Sequence, residues 1–181
     1  MLMFKRLTFL LLLCCGLALA NTDDGYTYGE PDLKGIFNPN ADIKIDNKPI
    51  FLVFGQTGCY YCAMLRSDIN KDDFLKNYLK ANFSPYYINI RHDKKHNVSY
   101  LKLNNISSRD YARLYNLTGT PMIVFVSEEG KTIFRVSGYP GHDRLVTMLK
   151  FIKSNKWKSA SSEQERIVLY QSFEKSLKEK K

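Results

Sequence analysis

Cysteine is scarce in this chain, with four residues in 181. Two of them, Cys14 and Cys15, fall in the N-terminal apolar segment, so Cys59 and Cys62 remain as an isolated pair. One pair is not a framework that staples a small fold. Long apolar runs are missing too. The N-terminal one, Leu7 to Leu13, falls well short of the ~20 residues that a membrane-spanning helix needs. The net charge is +9, but no basic stripe interleaved with aromatics goes with it: the lysines are scattered and gather at the C-terminus. This excludes nucleic acid as a partner and assigns the basic residues to a solvated surface. Histidine is rarer still, at three residues. Twenty-nine residues separate Cys62 from His92, the first of the His92–His96 pair, too many for a compact zinc finger. No metal site and no cofactor is expected, and both histidines read as solvated loop residues.

What is present begins with an export signal. Lys5 and Arg6 precede the apolar run, and Ala18-Leu19-Ala20 before Asn21 has the small-x-small pattern of a cleaved secretory peptide. Residues 1–20 are therefore read as a signal peptide that sends the domain to the periplasm. A lipid anchor on Cys14 or Cys15 is the lesser alternative, because Leu13 and Cys14 stand where a small residue normally precedes a lipidated cysteine. Residues 21–47, rich in Gly, Pro, Asn and Asp, read as a leader in which Ile43 and Ile45 suggest a short edge strand. The core is expected from Lys48, a domain over 48–153, and a linker with an amphipathic helix over 154–181.

The organising stretch is Lys48 to Ile69. Ile50 to Phe54 is a continuous apolar run between Pro49 and Gly55, the mark of a strand covered on both faces. Cys62, Leu65 and Ile69 then recur at the spacing of one helical stripe. Cys59 is thereby placed at the mouth of a helix, where unsatisfied N–H groups and the helix dipole favour a thiolate, and Cys62 one turn inside, facing the core. An exposed sulfur that attacks and a shielded one that resolves are what dithiol exchange requires. A bridge across two intervening residues closes too small a loop to add much stability.

The rest alternates. Asn70 to Asp73 offers helix-start chemistry before Phe74, Leu75, Tyr78 and Leu79. Phe83 to Ile90 returns to strand character, a charged insertion covers His92 to Asn97, and a short strand is expected over Val98 to Leu103. Ser107 and Ser108 are caps for a helix with Tyr111, Ala112, Leu114 and Tyr115. Met122 to Val126 and Thr132 to Val136 flank a turn as a hairpin. Leu145, Met148, Leu149 and Ile152 mark a further helix, and Ser162 to Glu165 fits a capping box before Ile167, Tyr170, Phe173 and Leu177. That last apolar face suits docking on the domain, ahead of a second protomer or a membrane.

Gly119-Thr120-Pro121 stands just before the Met122 strand, about sixty residues after the cysteine pair. Together, FGQTGCYYCAML, YNLTGTPMIVFV and GKTIFRVSGYPG resemble the thioredoxin-fold superfamily over Lys48 to Ile152, and within it the bacterial periplasmic branch that includes the sulfur-oxidation-associated thioredoxins. The resemblance implies a three-layer α/β/α fold with a mixed central sheet, extended here by a C-terminal helix. It implies a redox disulfide between Cys59 and Cys62, a cis Pro121, and a Thr120 main-chain edge that holds a substrate strand. Tyr60 and Tyr61, where the pair departs from the Gly-Pro of thioredoxin, are read from their aromatic character as substrate contacts, while the other aromatics read as core and surface packing. Gly58 replaces the tryptophan and Val53 the buried acid of thioredoxin itself, so a bulk cytosolic role is disfavoured. The implied activity is reduction of disulfide-bearing periplasmic proteins, recharged by a membrane thiol donor. An oxidase or isomerase, and a redox-inert peptide-binding module, remain as alternatives.

Overall fold

The structure, a computed structural model, describes residues 34–179; the signal segment with Cys14 and Cys15, and the first part of the leader, lie outside the described residues. Seven strands and five α-helices follow one another: β1 (Asp42–Ile43), β2 (Ile50–Gly55), α1 (Tyr60–Lys71), α2 (Asp73–Asn82), β3 (Ser84–Asn89), β4 (Lys95–Val98), β5 (Leu103–Ser107), α3 (Ser108–Leu114), β6 (Met122–Val126), β7 (Thr132–Ser137), α4 (His142–Lys153) and α5 (Glu163–Lys178).

The central sheet has the order β3-β2-β6-β7, parallel between β2 and β3 and antiparallel in the other two pairs. Its two middle strands are buried on both faces, and period-two alternation divides their side chains between two cores. Phe51, Val53, Ile123 and Phe125 face α1, α2, α4 and α5, whereas Ile50, Leu52, Phe54, Met122, Val124 and Val126 face α3 and the small strands. Each large apolar side chain removed from water in this way contributes about 1.5–3 kcal/mol. The arrangement is the expected three-layer α/β/α sandwich with a mixed sheet.

The helix starts follow the sequence signals. Asp72 caps α2 by accepting from the Leu75 N–H at 3.1 Å, Ser107 caps α3 through the Asp110 N–H, and Ser162 caps α5 through the Glu165 N–H. α5 docks in cis. Tyr170 is buried against Phe134 and Phe151, and Glu163 at its N-terminus takes the Arg135 guanidinium at 2.8 Å. Among the described residues no helix is long and apolar enough to cross a membrane.

Three expectations need correction. The strand over Val98 to Leu103 does not form; β4 and β5 instead flank a 3₁₀ turn at Ser99–Leu101, with Lys102 at φ 54° turning the chain. These strands pair with β1 as a second sheet, in the order β1-β4-β5. His96 is not a solvated loop residue. It is 1% exposed, with Nδ1 2.6 Å from the Asn40 carbonyl oxygen and Nε2 2.8 Å from Ser108 Oγ. Two satisfied ring nitrogens make the burial of a polar ring affordable, and that burial pushes its pKa below the usual 6.5, holding it neutral. Finally, the core begins before Lys48. Ile36 and Phe37 are buried, and the Phe37 ring lies 6.1 Å from that of Phe51 and 5.9 Å from that of Tyr87.

A charged clasp joins the start of α4 to the α1–α2 junction. His142 Nε2 lies 2.6 Å from Asp72 Oδ2, and Nδ1 lies 3.0 Å from Asp143. Hydrogen bonds to Asp143 and Asp72 raise the His142 pKa above 6.5, and the bond from His142 lowers that of Asp72 below 3.8. The histidine's contribution to stability is thus complete below pH 6.5 and lost as pH rises through its elevated folded-state value. The aspartate's contribution is complete above pH 3.8 and lost as pH falls through its depressed one. The clasp acts in the window between. In urea titrations across pH 4–9, wild type is expected to lose a little stability on passing above neutrality relative to His142→Gln, a small effect because solvent screens so exposed a pair. Parallel curves for the two proteins would count against the clasp.

Candidate active site

The turn between β2 and α1 carries the cysteine pair. Cys59 is the N-cap of α1 with extended backbone (φ −85°, ψ 113°), and the Cys62 N–H donates to its Sγ at 3.1 Å. The two are joined as a disulfide, with Cα atoms 5.2 Å apart. Cys62 has no exposed surface and packs on the stripe with Leu65 and Ile69, while Cys59 is half-buried. An N–H aimed at Sγ, together with the positive end of a twelve-residue helix, favours negative charge on the outer sulfur.

The second motif meets the first. The Thr120–Pro121 peptide is cis, and the Thr120 carbonyl oxygen lies 3.4 Å from Cys59 Sγ. In the disulfide the sulfur has no proton and this is a contact; in the dithiol the same geometry lets the S–H donate to that oxygen. Pro121 is buried and its carbonyl accepts from the Gly138 N–H at 2.8 Å, which ties the segment to the end of β7. Tyr60 and Tyr61 stand outside, 71% and 57% exposed, with rings packed edge to face at 5.4 Å. The structure therefore brings Cys59, Cys62, Thr120 and Pro121 together, and sets the two tyrosines on the rim beside the sulfur.

Beneath the turn, two residues were not legible as part of the site. Val53 is fully buried and pairs in register with Tyr87 on β3. The Tyr87 ring reaches back under Gly55, where a side-chain Cβ would stand 2.0 Å from its hydroxyl oxygen. Only glycine fits there. Arg66 of α1 donates to that hydroxyl at 3.2 Å. The polar floor below β2 is thus a phenol and a guanidinium. The one sequence signal for it was a glycine closing an otherwise bulky strand, which marks close approach of another group. On the far side of α1, the Tyr139 hydroxyl donates to Asp68 at 2.5 Å, and burial, then Asp68, pushes its pKa well above the usual 10.0. This fastens the loop after β7 to the cysteine helix.

The histidines do not converge on the cysteines. Both His96 nitrogens are engaged elsewhere, and among the described residues no group of three or more His, Cys, Asp or Glu side chains is disposed to hold a metal.

Against this geometry the comparisons with known proteins are consistent. The family model described as a thioredoxin-like domain matches residues 40–153. A thioredoxin-fold protein from Helicobacter pylori is 27% identical at a TM-score of 0.76, over 84% of this chain and 99% of that one. A thioredoxin from Thermus thermophilus is 19% identical at 0.47, over 60% and 75%. An exposed lipoprotein thioredoxin from Streptococcus pneumoniae is 18% identical at 0.44, over 59% and 86%. No curated protein matches the chain significantly.

Proposed function

The chain belongs to the thioredoxin-like domain family, and on that premise we propose that it is an exported thiol–disulfide oxidoreductase that reduces disulfides of periplasmic client proteins through Cys59 and Cys62. The observation that carries this reading is the asymmetry of the pair: one sulfur reachable at a helix N-terminus, the other without exposed surface, and a main-chain carbonyl 3.4 Å from the first.

In the dithiol form, the Cys59 thiolate attacks one sulfur of a client disulfide. An S–S bond forms between Cys59 and the client, and the client's other sulfur leaves as a thiolate that takes up a proton. Cys62, having lost its proton, then attacks Cys59 Sγ. The mixed disulfide breaks, the client's second sulfur departs and is protonated, and the Cys59–Cys62 disulfide forms. Two electrons and two protons have passed to the client. Thr120 and Pro121 supply an extended edge against which a client strand lies, in the manner of strand addition, and Tyr60 and Tyr61 give it apolar contact. The oxidised pair is recharged by a membrane-held thiol donor. No cofactor enters the cycle.

Direction is tested by equilibrating the protein with glutathione mixtures and reading the dithiol fraction. A potential of about −200 to −270 mV is expected of a reductant. A value near −120 mV, that of a strong periplasmic oxidant, would reverse the assignment.

A further inference from the structure

A groove of about 350 Å³ runs alongside the catalytic turn. Its walls come from Gln56, Ile90, Arg91, Arg109, Arg113 and Leu117. Several bonds place it next to the sulfur. The Gln56 carbonyl accepts from the Cys59 N–H at 3.3 Å, and the Ile90 N–H donates to the Gly55 carbonyl at 2.9 Å. Leu117 lies three residues before Thr120, whose carbonyl touches Cys59 Sγ. A client chain lying across Cys59 and the Thr120 edge therefore has this groove beside it.

The chemistry of the groove is one-sided. Ile90, Ala112 and Leu117 form an apolar floor, and three guanidinium groups stand around it. Arg113 is held by Asp110 at 2.6 Å, and Asp110 also accepts from the Ser107 hydroxyl. Arg91 and Arg109 are exposed, and among the described residues neither guanidinium is paired with a carboxylate. Two guanidinium groups kept off internal carboxylates, above an apolar floor and beside a nucleophile, are complementary to carboxylates on an extended chain.

We propose that this groove selects the client: it receives the segment next to the attacked cysteine and favours segments bearing Asp or Glu, which Arg91 and Arg109 hold. The assignment rests on the exchange reading above. It also gives a local meaning to positive charge that in the sequence looks like mere surface.

The test uses three synthetic peptides, each closed by one internal disulfide and identical except for two residues beside the first cysteine, which are Glu-Glu, Gln-Gln or Lys-Lys. Reduction by the pre-reduced protein is measured as the second-order rate constant of a single turnover, and each value is divided by the rate of the same peptide with dithiothreitol, which removes intrinsic differences in disulfide reactivity. At low ionic strength the Glu-Glu peptide is expected to exceed the Gln-Gln peptide about three- to tenfold, the range for two solvent-facing ion pairs. The Lys-Lys peptide should fall below both. At high salt the preference should collapse. The double variant Arg91→Glu/Arg109→Glu should invert it, and the salt dependence of wild type tests the idea even if that variant folds poorly. Equal normalised rates for the three peptides, or a preference untouched by salt and charge reversal, would overturn the groove's role while leaving exchange intact. Absence of any disulfide reduction by the pre-reduced protein, on every peptide and on insulin, would remove the exchange reading itself.

Discussion

Cys59→Ser is expected to bring insulin reduction down to the uncatalysed background, a loss of roughly three orders of magnitude or more. The effect should be chemical and not structural. Serine is a good N-cap, so its hydroxyl takes over the bond from the Cys62 N–H that Sγ now accepts, and α1 keeps its start. Losing the bridge costs little, because it closes a loop of only two intervening residues. The urea midpoint should therefore stay close to that of the wild type. Cys62→Ala separates the two halves of the cycle, since attack by Cys59 proceeds while release does not. Mixed disulfides should then accumulate on Cys59, visible as adducts that dithiothreitol removes. If wild type and Cys59→Ser reduce insulin at the same negligible rate, the cysteines are redox-inert and the Thr120 edge belongs to a peptide-binding module.

The placement of the two candidate cysteines was legible because it is local in sequence. A bulky strand, a glycine-flanked turn and a cysteine pair at helical spacing specify where each sulfur goes without knowledge of the rest of the fold. The second half, Thr120 and Pro121, was reached by resemblance, since proline ahead of a strand says little by itself. The fold followed from the same regularities, because β2 and β6 are apolar on both faces and can only lie inside a covered sheet. What escaped depends on long-range partners. His96 looks solvated among Asp93, Lys94 and Lys95, and only Asn40, fifty-six residues away, and Ser108 make it a buried ring. β4 shows an alternation in which His96 and Val98 are the inward residues, a pattern too short and too polar to stand out. Phe37 lies among Gly, Pro and Asn in a stretch that reads as leader, yet it fills the space between Phe51 and Tyr87. The floor of the site escaped for the same reason, as nothing near Tyr87 or Arg66 in sequence announces that they meet.

Tyr170→Ala is expected to destabilise the protein by about 3 kcal/mol, the lower end of the range for removing a buried aromatic, since water can enter a cavity at the edge of the core. For a chain of this size that corresponds to a fall in Tm of about 6–12 °C. The loss is concentrated at Tyr170 because its ring lies 5.8 Å from Phe134 and 5.7 Å from Phe151, which in turn packs Phe173 at 5.5 Å. The polar anchors around it hold α5 in register but contribute less. Arg135 to Glu163 and Arg144 to Glu174 are ion pairs with solvent access, and Arg166 donates to the Thr132 and Ile133 carbonyls. Tyr170→Phe separates ring from hydroxyl. The hydroxyl has only a 3.5 Å contact with Glu174, so that variant should stay within about 1 kcal/mol of wild type. An unfolding curve unmoved by Tyr170→Ala would mean that α5 does not stabilise the domain it lies on, and would return its apolar face to a second protomer or a membrane surface. A large loss in Tyr170→Ala with none in Tyr170→Phe makes the helix part of the core, secured by aromatic packing on β7 and α4.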